Sequence, residues 1–422
     1  MIGCSSRTGV SWGASNSRCA ASCNGTHWPR SPTSPVPVPG EPKRATVFDL
    51  LLNTASTDIL LRHGEGEDAE HQSSAGWRGT LGVSGLLQRH DSRGIIPLVP
   101  DATTASGGAF AFERPAIGRL ALLVGVRGDL RHLTADADIR LDLEHGTRSW
   151  NAFSGDASVV YRLLPSLALA VNVGQAWRAP ALFELYANGP RPGEGRYECG
   201  SSSLDPETSL NSDASLRWES SRAHADASAF HTRISDYIYI APTDGTIDGL
   251  RVYRYAHADA TLVGGEASAS VVATDALTLR GRVDAVRGTK TDDDPLPLVP
   301  PLRAVLGAVL GGELGGELHG HAGRHGIPYV SADEEYTARQ TRLSQAERDA
   351  TLETGRFPLQ TNAYTLVDIG TGMSLSLVGR TTDVSVRARN ATNARYRDFL
   401  NRYKEFAYAP GANVIVRLSS SF

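Results

Sequence analysis

The feature that most constrains this chain is a regular alternation of apolar and polar residues over long stretches. Between Arg119 and Arg131 one face is apolar, and it consists of Leu120, Leu122, Val124, Val126 and Leu130. The other face carries Arg127, Asp129 and Arg131. The same alternation runs through 166–177, 208–219 and 383–390. Because successive side chains of a strand point to opposite faces, each stretch predicts a two-faced β-strand.

The length of these stretches separates two kinds of β protein. Most extend well beyond the roughly five or six residues of an ordinary soluble strand, and about ten tilted residues cross a bilayer. A charged face is tolerable where it lines a wet lumen. The sequence therefore predicts an all-β, transmembrane antiparallel β-barrel, with about 14–16 strands in this chain. The solvated outer face of a large soluble sheet is the alternative that strand length alone leaves open.

Composition excludes several classes of protein. Hydrophobic residues make up 41% and charged residues 21% of the chain, a balance unlike that of a disordered protein. The formal net charge is -4 and the arginines are scattered, which argues against nucleic-acid binding. The chain has no apolar run of about 18 residues, so the sequence predicts no membrane-spanning helix. Hydrolase and phosphate-loop motifs are absent, so we expect no enzyme, no catalytic residues and no cofactor.

The first 44 residues differ in amino-acid composition from the rest of the chain. They are rich in Ser, Cys, Gly and Pro and contain the proline-rich run 34–40. Such a stretch is typical of an unstructured linker. We therefore expect 1–44 to be a lead segment outside the barrel, disordered or non-native, and 45–422 to be the barrel domain. This segment has no apolar core of a signal peptide, so we expect the natural start to lie upstream.

Several short motifs resemble those of one family in the same order. The residues Trp177–Tyr186 read WRAPALFELY and look like the "RAP…ELY" element of TonB-dependent outer-membrane receptors. Leu204–Glu207 resembles the family's "L-x-P-E", and Asn390–Asp398 resembles "N-L-x-N-x-x-Y". Pro410–Ala412 resembles the closing "P-G-R" turn, and the chain ends in Phe422. The resemblance covers about 45–422 and is strongest to receptors for zinc and siderophores.

The resemblance implies a receptor that takes up a scarce metal or metal chelate through the Gram-negative outer membrane, energised by the TonB complex. Family barrels have about 22 strands around a plugged lumen. No plug-sized domain and no TonB box precede residue 45, so we expect a truncated receptor. Outer-membrane lipid and the barrel-assembly machinery, which would recognise Phe422, are further expected partners. A plugless passive pore, a non-functional fragment and a surface-exposed β-rich interaction protein remain alternatives.

Candidate ligand-binding residues lie in two places. Long loops on a rigid barrel are natural ligand contacts, and the loop 188–204 contains Arg191, Glu194, Arg196, Tyr197 and Glu198. These side chains are equally suited to stabilising the loop itself. His257 lies where a loop is expected to enter a strand.

A possible metal site is the cluster of His319, His321 and His325. His319 and His321 would share one strand face, and imidazoles are ligands of zinc. The spacing fixes no third ligand, and polar loop-edge histidines explain the same pattern.

Overall fold

A computed structural model describes residues 17–33, 46–64, 76–191, 194–311, 328–345, 347–348, 360–377, 380–401, 404 and 407–420. Within them the chain forms strands β1 (Ser17–Thr33), β2 (Thr46–His63), β3 (Gly76–Ser92), β4 (Ala102–Ile117), β5 (Leu120–Ala135), β6 (Gly146–Leu164), β7 (Leu167–Arg178), β8 (Asn188–Arg191), β9 (Arg196–Cys199), β10 (Glu207–Glu219), β11 (Ala223–Ile247), β12 (Leu250–Thr274), β13 (Leu277–Lys290), β14 (Arg303–Leu310), β15 (Tyr329–Thr337), β16 (Tyr364–Leu377), β17 (Arg380–Arg389) and β18 (Asn413–Ser420). One α-helix, α1 (Leu182–Tyr186), and one 3-10 turn, Ile139–Leu141, complete the described elements. The predicted all-β class is confirmed.

The chain divides into two compact units. Unit 1 comprises 1–161, 171–212 and 232–260, and unit 2 comprises 162–170, 213–231 and 261–422. In unit 1 each strand from β1 to β5 pairs antiparallel with its successor in the chain. In unit 2 the strands from β13 to β18 pair antiparallel in the same sequential way. The antiparallel pairing agrees with the antiparallel β-barrel fold that the sequence predicted.

Strand β1 lies within the segment that we expected to precede the barrel. Its backbone pairs with β2 from Ser17 opposite Leu61 to Thr33 opposite Thr46, with one irregularity near Arg30. Hydrogen bonding along the backbone therefore begins before residue 45. The division of the chain at residue 44 into a lead segment and a barrel domain stays a prediction.

The predicted apolar face of β5 is exposed. Leu122, Val124 and Val126 expose 37%, 45% and 42% of their surface. On the opposite face Arg127 pairs with Asp129 at 2.7 Å. Large apolar side chains facing outwards with charges behind them are the reverse of a soluble sheet, and they suit an apolar surrounding. Trp177 departs from this pattern, because its indole N–H donates to the inward-facing Asp129 at 3.5 Å.

Unit 2 repeats the arrangement. The outward face carries Leu306, Val414, Val416 and Leu418, each about two-thirds exposed. Behind it Asp333 accepts hydrogen bonds from Arg280 at 2.7 Å and from Arg387 at 3.0 Å. The charges on this face are thus neutralised by cross-strand pairing.

The described connections between strands are of two sizes. Two-residue turns at 118–119, 165–166 and 275–276 follow β4, β6 and β12, whereas the connections 93–101, 136–145 and 179–206 are long. Residues 241–249 belong to a hairpin in which β11 and β12 each have 25 residues and the two residues 248–249 connect them. Among the described helices, neither has the length and apolarity of a membrane-spanning helix.

Candidate functional site

The connection between β7 and β10 is held by the charged residues of the WRAPALFELY and LDPE motifs. Arg178 forms a bidentate pair with Glu207, with both N–O distances 2.8 Å, and a second pair with Glu184, also at 2.8 Å. Glu184 also accepts the backbone N–H of Ala181 at 2.7 Å, which caps α1. Glu207 accepts the N–H of Ile238 at 2.6 Å. One arginine thus fixes both ends of the connection, and bidentate geometry makes the pairing strong.

The same connection forms a hydrophobic core with neighbouring loops. This loop core consists of Leu98, Val99, Ala102, Leu133, Ala135, Leu182, Leu185, Tyr186, Ala187, Leu204 and Ile238. The backbone of Asn188 joins it to the 93–101 connection by donating to the carbonyl of Leu98 at 3.0 Å. A Cβ at Gly200 would lie 2.6 Å from the carbonyl carbon of Leu185, so only glycine permits this approach. The long connections of unit 1 therefore pack as one body, which we call the loop end.

The short hairpin β8–β9 adds a strand to β12 in parallel orientation, with Arg196 opposite Arg251 and Cys199 opposite Arg254. One face of β9 is charged and closed. Glu198 is 0% exposed and contacts Arg196 at 2.5 Å and Arg191 at 3.6 Å. A buried carboxylate is stable only when paired, so these cations hold the hairpin in place.

Aromatic and acidic neighbours complete this closed face. Glu194 contacts Arg196 at 2.9 Å and Arg191 at 3.7 Å. The guanidinium of Arg196 lies 5.0 Å from the ring centre of Tyr253, a cation–π distance. The hydroxyl of Tyr255 donates to Glu198 at 3.5 Å. Four of the five loop residues singled out from the sequence thus form one network of mutual contacts.

The opposite face of β9 is neutral and faces a cavity. Tyr197 donates to the side-chain oxygen of Asn188 at 3.2 Å, and the thiol of Cys199 lies 3.8 Å from the same oxygen. Burial raises the pKa of the Tyr197 hydroxyl, and the neighbouring Cys199 raises it further. Burial also raises the pKa of the Cys199 thiol, which Arg254 opposes. Both groups are therefore neutral donors at neutral pH.

The cavity has a volume of about 570 Å³ and is bounded by four segments of the loop end. Its walls are residues 143–148, 185–188, Cys199 to Ser202 and Arg254. Arg148 donates to the carbonyl oxygens of Ser202 at 2.6 Å and Leu204 at 3.0 Å. Sequence reasoning missed Arg148 and Arg254, because they lie in different strands and only the fold brings them together.

The remaining candidates lie elsewhere. The ring of His257 contacts the carboxylate of Asp236 at 3.2 Å, away from the cavity walls. His319, His321 and His325 lie outside the described residues, as does Phe422. Among the described part of the chain, no group of three or more His, Cys, Asp or Glu side chains is arranged to hold a metal ion.

A comparison with protein families identifies the chain. The model of the TonB dependent receptor-like β-barrel matches residues 16–394. The chain therefore belongs to this family, whose members are receptors and transporters of the Gram-negative outer membrane. None of the curated proteins compared with the sequence matches it.

Solved structures show the same fold at low sequence identity. The copper transporter OprC superposes with a TM-score of 0.69 at 18% identity, over 97% of this chain and 62% of that one. The siderophore receptor PirA from Acinetobacter baumannii gives 0.66 at 14% identity, over 97% and 61%. The FrpB iron transporter from Neisseria meningitidis (F3-3 variant) gives 0.64 at 12%, over 96% and 59%. The chain thus spans about three fifths of the length of these structures.

Proposed function

We propose that this protein is an outer-membrane receptor that captures a metal or metal chelate at its loop end for import energised through TonB. Family membership supports the class of activity. The names of similar structures, a copper transporter, an iron transporter and a siderophore receptor, support the class of ligand. The outward apolar faces of the strands support a place in the membrane.

The observation that carries the proposal is the architecture of the loop end. The long connections of unit 1 share one buried core, and two of them, with residues of β6 and β12, form the walls of a polar cavity. Cavities of a few hundred Å³ with convergent polar groups are the usual form of small-ligand sites. The loop end is thus a preformed place for capture, which a passive pore does not require.

The side chains predicted from the sequence enter the proposal in two ways. Arg191, Glu194, Arg196 and Glu198 hold the hairpin that forms one wall of the cavity. Tyr197, His257 and the cluster His319, His321 and His325 stay proposed ligand contacts. TonB and the barrel-assembly machinery stay proposed partners.

Equilibrium dialysis of the purified protein in detergent tests the proposal. The ligands are Zn²⁺, Cu²⁺ and Fe³⁺ as free ions and as complexes with citrate, a catecholate and a hydroxamate. Saturable binding of at least one metal species is the expected result. Absence of saturable binding throughout the panel, with planar-bilayer conductance present, would contradict the proposal and favour a passive pore.

A further inference from the structure

The cavity of the loop end contains positive charge that the described residues do not neutralise. Arg148 uses its guanidinium on two carbonyl oxygens, which are neutral acceptors, so its charge remains. Arg254 is exposed at the cavity wall and has no carboxylate within ion-pair distance among the described residues. This contrasts with Arg191 and Arg196 on the other face of β9, which contact Glu198.

Neutral hydrogen-bond donors surround the two cations. The hydroxyl of Tyr186 lies beside Gly146 in the wall, and burial raises the pKa of Tyr186 so that it stays a donor at neutral pH. Asn188 and Ser202 add polar groups. Glu144 is the one carboxylate among the lining residues, and it is exposed. Guanidinium groups recognise carboxylate oxygens through paired hydrogen bonds.

The size of the cavity narrows the ligand further. A volume of about 570 Å³ is far larger than a single inorganic anion needs, and it lies within the range of organic-ligand sites. The two guanidiniums come from β6 and β12 and line the same cavity, so a ligand with more than one anionic group matches the charge of the cavity.

From this geometry we propose that the cavity binds an organic ligand with two or more anionic oxygen groups, with Arg148 and Arg254 as the charge partners. The inference rests on the proposed function, because it gives the chemical class of the species that the loop end captures. A polycarboxylate fits whether it arrives free or as a metal chelate.

Calorimetric titration of the full protein in detergent tests this inference, with citrate and ferric citrate as probes. Wild-type protein is expected to bind citrate, and added salt is expected to weaken binding because the contacts are electrostatic. Arg254→Gln is expected to weaken binding about tenfold, the effect of losing a charge-assisted hydrogen bond. Inorganic phosphate, which offers a single anionic group and fills little of the cavity, is expected to bind more weakly than citrate.

Two further variants separate ligand binding from folding. Glu144→Gln removes a repulsive charge at the wall and is expected to tighten citrate binding about two- to threefold. Arg119→Gln makes the same charge change as Arg254→Gln in the short turn after β4, and it is expected to leave binding unchanged. If the substitutions at residues 144 and 254 acted by misfolding the loop end, both would weaken citrate binding. Opposite effects of the two substitutions on citrate affinity therefore identify a ligand site.

The outcomes distinguish this inference from the proposed function. No citrate binding at millimolar concentration, or equal affinity in wild type and Arg254→Gln, overturns the inference. If a neutral ferric hydroxamate then binds independently of Arg254, the proposed function stands and only the inference of an anion site fails. Equal binding of citrate and ferric citrate, both dependent on Arg254, supports the anion site while speaking against recognition of the metal.

Discussion

The strands and the loop end of unit 1 distribute apolar side chains in opposite ways. On β5, Leu122, Val124 and Val126 are more than a third exposed. In the loop core, Leu98, Leu185 and Leu204 are 0–2% exposed. If water surrounded both regions, their large apolar side chains would be expected to be buried to a similar extent. The difference indicates that the strands meet an apolar surrounding, whereas the connections pack their own core in water.

The charged side chains follow the same division. On the strands they face inwards and pair with one another, as Arg127 does with Asp129 two residues further along β5. At the loop end they do two things. Arg178, Arg191 and Arg196 bind carboxylates within the connections, while Arg148 and Arg254 keep their charge at a cavity.

The largest predicted effect contrasts one substitution in the two regions. Leu204→Ala empties a fully buried position of the loop core and is expected to cost about 3.5 kcal/mol of unfolding free energy. Leu130→Ala removes the same atoms from a side chain that is 67% exposed, and it is expected to cost less than about 1 kcal/mol in detergent. Urea unfolding in detergent micelles measures both. Equal costs would contradict the proposal that apolar side chains are buried in the loop core and exposed on β5.

The next effect tests the closed face of β9. Glu198→Ala removes the buried one of the two carboxylates that Arg191 and Arg196 share, and it is expected to cost about 3 kcal/mol. The estimate is at the low end of the range for buried pairs, because the Arg191 side chain is 34% exposed. Hydrogen exchange of residues 188–199 is expected to accelerate. Glu144→Gln is the matched control, and unchanged exchange in both variants would show that the network does not hold the hairpin.

A charge placed on the apolar face of β5 should be felt only in a membrane. Val124→Arg is expected to cost about 2 kcal/mol in lipid vesicles, since a cation near the bilayer midplane is unfavourable. Val124→Leu serves as the control for side-chain size. If the arginine variant is as stable as the wild type in vesicles, the face does not contact lipid.

The smallest effect concerns the reactivity of Cys199. Because burial raises its pKa, less of the thiol is ionised at neutral pH, and alkylation should be slower than that of a free cysteine. Alkylation should accelerate as the pH rises. Arg254→Gln removes the cation that opposes this shift and should slow alkylation further. The measurement uses a chain in which Cys4, Cys19 and Cys23 are replaced by Ser. A faster alkylation rate in Arg254→Gln would contradict the placement of Arg254 beside the Cys199 thiol.

Much of the strand architecture was predictable because alternation is a local property. The set of residues on the outward face of β5 follows from period-two patterning. Trp177 broke the pattern, since its indole N–H needs an acceptor and finds Asp129. The hairpin β11–β12 was less predictable, since Pro242, Gly245 and Gly249 are typical of turns, yet β11 continues to Ile247.

The site was less accessible from the sequence. The "RAP…ELY" and "L-x-P-E" motifs marked the right connection, yet the reason for their arginine and glutamates appears only when Arg178 meets Glu184 and Glu207. Arg148 and Arg254 are separated by more than a hundred residues, and the sequence singled out neither as a site residue. Their shared cavity depends on how four segments pack, which patterning does not encode.

The central claim is that the strands meet an apolar surrounding, whereas the connections pack their own core in water. Spin-label accessibility along β5 tests this claim most directly. Single cysteines at positions 121 to 127, in a chain otherwise lacking cysteine and reconstituted in vesicles, carry the label. The account predicts a period of two, with positions 122, 124 and 126 accessible to oxygen and shielded from a water-soluble nickel chelate, and with the reverse at 125 and 127. Uniform accessibility to the nickel chelate along the whole strand would contradict it.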